Sequence, residues 1–193
     1  MTEAPLPTLV DVWAVLGDRA GAEVLALFDQ LRDAGATDAE LERALSMLIT
    51  AQNLHAGAFG EALARNLLES WEPGTPIPSV PVADVATHLD RPRLSRAVGT
   101  VLERIDPAEL AVTVAVAGRA LRNLARAEAL ETGQTSYRLV MIGSDLTDGW
   151  ERELEPDACE LCHYWHDEGV QPKGAPMPTH KGCSCAQQFH RKR

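Results

Sequence analysis

Apolar residues recur with a helical period along most of the chain. Leu9, Val12, Trp13 and Leu16, then Val24, Leu27, Phe28 and Leu31, fall three or four apart and predict one or two helices over residues 8–34. Gly17 and Gly21 are a candidate break, and Gly35 a natural C-terminal stop. Thr37-Asp-Ala-Glu40 reads as a capping box, because the two side chains can satisfy each other's backbone N–H groups. The helix it opens carries Leu41, Leu45, Leu48, Ile49, Leu54, Phe59, Leu63 and Leu67 and is expected to reach about Trp71. Gly57 and Gly60 within it allow a bend or a close neighbour.

Residues 72–81 contain four prolines and are expected to form a stiff, extended connector. A weaker helical pair follows at 82–89 and 93–104. Asp106-Pro107 then starts a long helix, expected to end near Thr132, with a valine-rich buried face early on. Its later Arg119, Arg122, Arg126 and Glu128 read as a solvated face with i,i+4 pairs. Beyond Gly133 the pattern changes. Tyr137 to Ile142 is a short apolar run, Gly143 to Gly149 is rich in turn formers, and Trp150 to Leu154 alternates, which predicts a β-hairpin. The expected class is mainly α: helical regions 1–71 and 82–134, the connector 72–81, then a β-hairpin and small zinc-binding module in 135–193.

Composition supports packed helices, since only 5% of residues are aromatic while alanine and leucine abound. The net charge of −10 is unevenly placed: the first 155 residues carry 13 basic and 24 acidic groups, a net of −11. Such a body repels phosphate backbones. An accessory DNA contact would fall to the basic end, Arg191-Lys192-Arg193. The N-terminus lacks the basic and apolar segments of a secretory signal, and no apolar run is long enough to span a bilayer, so a cytosolic origin without membrane contact is expected. Cytosolic thiols stay reduced, which favours metal binding over disulfides.

All four cysteines lie near the C-terminal end, as Cys159-x2-Cys162, seventeen residues, then His180-Lys-Gly-Cys183-Ser-Cys185. A C-x2-C turn places two thiolates on one side of a tetrahedral zinc site, and His180-x2-Cys183, with Gly182 allowing a tight turn, resembles a second gripping knuckle. Cys159, Cys162 and His180 are the first three candidates, with Cys183 or Cys185 as the fourth; in the alternative, both of those sulfurs bind and His180 stays outside. The further alternatives are a disulfide, for a protein that ends in an extracellular particle, and four ordinary thiols. His163 and His166 read as neighbours of the site. The metal is expected to be structural, because no H-E-x-x-H helix and no H-x-E with P-C-x-x-C is present. G-x-S-x-G, P-loop and G-x-G-x-x-G motifs are also missing, so no catalytic residue is expected.

Trp150-Glu-Arg, Pro156-Asp-Ala-Cys-Glu-Leu-Cys162 and His180-Lys-Gly-Cys-Ser-Cys185 together resemble the C-terminal signature of the Mu F-like minor head proteins, or head morphogenesis proteins, of tailed bacteriophages. The resemblance is specific over about residues 149–186 and general over the helical part. It implies a helical N-terminal region, association with the portal or the major capsid protein on the inner capsid, several copies in a larger assembly, and passage from the host cytoplasm into the virion. The expectation is thus a non-enzymatic minor capsid protein. The alternatives are a capsid maturation protease or other zinc-dependent enzyme of head maturation, and a cytosolic zinc-ribbon-like interaction module.

Overall fold

The computed structural model describes residues 7–80, 86–178 and 183–193. Helix α1 (Leu9–Asp33) begins where the Thr8 hydroxyl accepts the Asp11 N–H and the Asp11 carboxylate accepts the Thr8 N–H at 2.9 Å. It runs unbroken through Gly17 and Gly21, which instead admit a neighbouring helix, and the chain turns at Gly35 with φ 75°. Helix α2 (Asp38–Trp71) starts at the expected Thr37–Glu40 capping box. A 3-10 turn (Ala86–Leu89) and helix α3 (Arg91–Leu102), capped by the Asp90 side chain, follow. A second 3-10 turn (Pro107–Glu109) leads into helix α4 (Leu110–Gly143). Residues 82–85 of the first weak helix lie outside the described residues.

The buried side chains fix how these helices run. Leu41, Leu45 and Ile49 of α2 share one cluster with Ala117, Leu121 and Ala125 of α4, while Ala64 and Leu68 share another with Tyr137, Val140 and Met141. The two long helices are therefore parallel. α1 is antiparallel to both, with Val24 and Phe28 in the first cluster and Val10 and Trp13 in the second. Between the clusters lies a waist of small residues, Ala20, Ala56 and Ala129. There Gly60 approaches so closely that a Cβ on it would overlap the Gly133 carbonyl. Small side chains at the waist bring the backbones together, and large ones fill the two ends.

Along the connector, Ile77 and Val80 pack on the core and the Pro78 ring lies beside Gly143. Several expectations need correction. The early valines of α4 are not a buried face, since Val112 is 64% and Val116 48% exposed. The stripe that meets the core is Val114, Ala117, Leu121 and Ala125, and those two valines fall off it. Leu54 of α2 is exposed for the same reason, as the stripe passes through Asn53 and Ala56. Glu128 is not on a solvated face either; it is buried and receives two hydrogen bonds from Arg93, at 2.8 and 2.6 Å. Arg126 likewise pairs across helices, with Asp18 at 3.0 Å.

The expected hairpin has lost its first arm to helix. Tyr137, Val140 and Met141 continue the buried stripe of α4 at helical spacing, so the run to Ile142 stays helical. The sheet forms instead from β1 (Thr147–Glu153), β2 (Gln171–Pro172) and β3 (Ala186–Arg191), all antiparallel in the order β2-β1-β3. Trp150 pairs with Phe189, and both enter the core beside Tyr137, whose ring lies 6.0 Å from that of Phe189. The sheet thus closes the C-terminal ends of α2 and α4. No helix among the described residues is long and apolar enough to cross a membrane.

Candidate metal centre

The chain between β1 and β2 carries one short helix, α5 (Glu160–His166). A turn at Pro156-Asp157, closed by the Ala158 N–H to the Glu155 carbonyl at 3.0 Å, sets Cys159 just before it and Cys162 in its first turn. Cys183 and Cys185 lie just before β3. The three sulfurs of Cys162, Cys183 and Cys185 are buried and lie within 4.8 Å of one another, with Cys162 Sγ 3.5 Å from Cys183 Sγ. A tetrahedron of thiolates about 2.3 Å from zinc places sulfurs roughly 3.8 Å apart. A disulfide needs about 2.05 Å, and none of the four cysteines is in one. Three buried cysteines at this spacing can bind a metal ion.

Cys183 and Cys185 both belong to the cluster, rather than competing for one position. Cys159 sits at its exposed rim, where the N–H of Cys162 and then that of Leu161 hold its thiol below the ordinary range. His180 and Gly182 lie outside the described residues. Within the cluster, burial pushes Cys162 up to about 11. The Cys183 thiol is raised by donating to Cys185 and then by burial. Cys185 is lowered by that same bond, and the Glu155 N–H, 3.4 Å from its sulfur, adds to the effect against burial. Without a cation the sulfurs share their protons, since neighbouring thiolates repel one another in a desolvated site. A dication removes that repulsion.

The residues around the cluster are the part the spacing of cysteines did not reveal. Glu155 accepts from both the backbone N–H and the hydroxyl of Ser184, between two cysteines. Gln134 of α4 donates to the Cys185 carbonyl at 3.1 Å, tying the cluster to the helices. His166 Nδ1 lies 2.7 Å from the Arg152 carbonyl, which can only accept, so Nδ1 carries the proton. Arg152 itself is 2% exposed, with Nη1 3.8 Å from Cys162 Sγ. One signal for it was available: on a strand, Arg152 shares a face with the buried Trp150. A cleft of about 510 Å³ opens beside Cys183, walled in part by Arg93, Glu128, Arg138, Met177 and Gln187.

Comparison of the chain with protein-family models, with curated proteins and with solved structures finds no match.

Proposed function

We propose that this chain is a non-enzymatic minor protein of a bacteriophage head, whose C-terminal module is folded around one zinc ion and whose helices dock on the portal or the major capsid protein. The convergence of Cys162, Cys183 and Cys185 carries the metal part of this reading. Zinc suits it best, because soft thiolates in a tetrahedral arrangement select zinc in a structural role. Cys159 stands at the rim as a fourth thiolate. The zinc would stabilise a loop that otherwise has little packing of its own: between Leu154 and Met177 few side chains are buried.

The head-protein part rests on the signature Cys159-x2-Cys162 … His180-x2-Cys183-x-Cys185 and on the helical region before it. A body of net charge −11 over the first 155 residues favours protein over DNA as its partner. Leu110, Val112 and Val116 leave apolar surface exposed on the first turns of α4.

Two measurements test the two parts separately. Elemental analysis of protein purified without chelators should find about one zinc per chain, lost in Cys162→Ser. Metal-free protein with four freely titrating thiols would sink the zinc centre. Heads assembled without this chain should be fewer or less infectious, and normal yield and infectivity would refute the assembly role.

A further inference from the structure

We infer that Arg152 is the counter-charge of the metal centre, its buried guanidinium offsetting the negative charge that a divalent ion leaves on the three buried thiolates. The inference rests on the metal reading above. Arg152 lies on the central strand β1 and is among the largest fully buried side chains. Nη2 donates to the Pro178 carbonyl, Nη1 faces Cys162 Sγ at 3.8 Å, and the guanidinium sits 5.0 Å from the centre of the Trp165 ring. Nε has no partner among the described residues.

A buried guanidinium remains charged, and leaving such a charge uncompensated is strongly destabilising. Yet none of the described carboxylates forms an ion pair with Arg152. Its strand neighbours are occupied elsewhere: Glu151 lies 3.7 Å from His190, and Glu153 sits by Thr8 and Asp11. Glu155 is engaged with Ser184. Among the described residues, the sulfur cluster is the remaining carrier of negative charge in contact with it.

The charges then balance. Three buried thiolates and a dication leave one negative charge, and the guanidinium supplies one positive charge. Cys159, at the exposed rim, keeps its own charge in contact with water. A neutral buried ensemble follows, with Arg152 also positioning α5: its side chain meets Cys162 and Trp165, and its carbonyl meets His166. Partners of this kind around metal ligands typically alter affinity by about 10–100-fold.

The test measures zinc affinity of the full chain by competition with a chromophoric chelator, for wild type, Arg152→Met and Arg152→Lys. Arg152→Met is expected to bind zinc about 10–100-fold more weakly, and Arg152→Lys to recover most of that loss. Lysine forfeits the fork geometry but keeps the charge, so it separates charge from packing. Unchanged affinity in Arg152→Met, or an equal loss in both variants, overturns the inference. If Arg152→Met fails to fold, Arg152→Lys decides alone: near-wild-type affinity supports the counter-charge, and a large loss overturns it. A wild-type chain that binds no zinc defeats the metal reading instead.

Discussion

At Thr8 and Thr37 a hydroxyl and a carboxylate three residues on determine where two long helices begin. The second box was legible because Thr-x-x-Glu is a familiar pairing; the first uses Asp11 and was not read. Both carboxylates are held below the ordinary range, first by the threonine backbone N–H and then by its hydroxyl. A lowered carboxylate contributes stability that is present above its unfolded pKa and is lost as pH falls through the folded one. Glu40→Gln should therefore flatten the fall in Tm as pH drops through and below the ordinary carboxylate range, and an unchanged acid limb would show that the box does not contribute. Glu128 was beyond sequence reasoning for a different reason: its partner Arg93 lies on another helix, so no local pattern marks it. For Arg152 the strand alternation marks burial, but not the partner, Cys162.

For whole elements, the apolar period identified α1 and α2, because amphipathic stripes reflect burial directly, while Asp106-Pro107 signalled the turn that leads into α4. The period failed at Tyr137 to Ile142. A short apolar run suits a strand or a buried helix equally, and here the preceding helix supplied the register that placed Tyr137, Val140 and Met141 on the core. Gly57 and Gly60 allow a bend or a close neighbour, and only the fold shows that Gly60 meets Gly133. Gly60→Ala gains helix propensity yet drives a methyl group into a carbonyl that cannot rotate away. It should destabilise the protein by about 1–3 kcal/mol, measured by denaturant unfolding. Gly174→Ala, with nothing within 4 Å of the added atom, should change stability by no more than about 0.5 kcal/mol. Equal effects would mean that the helices separate more readily than the packing implies.

Taken as a whole molecule, the sheet and the cysteine cluster belong to different packing units. Trp150, Ala186 and Phe189 lie in the same cluster as Trp13 and Tyr137, whereas Cys162, Cys183 and Cys185 gather with Leu154, Ala158 and Trp165. The sequence suggested a C-terminal module separable from the helices. Removing residues 156–193 would in fact strip Ala186 and Phe189 from the helical core. Cysteine substitutions are thus the cleaner probe of the metal's role in assembly. Chelating the metal from the full chain should speed amide exchange over residues 156–170 while β1 and β3 stay protected. Equal loosening of β1 and β3 would show that the sheet depends on the metal.

The parallel course of α2 and α4 has an electrostatic consequence. Aligned peptide dipoles leave about half a negative charge at each helix C-terminus, and parallel packing puts both at one end of the molecule. Neither helix carries a basic residue in its last turn. The cations come instead from the chain beyond. Lys173 Nζ donates to the carbonyl of Ser144, which caps α4, at 2.9 Å. Arg191 lies 3.8 Å from Glu72, the residue that caps α2. The basic C-terminal region is therefore turned toward the negative pole made by the helices themselves, and its positive charge complements the protein's own field before it meets any partner's.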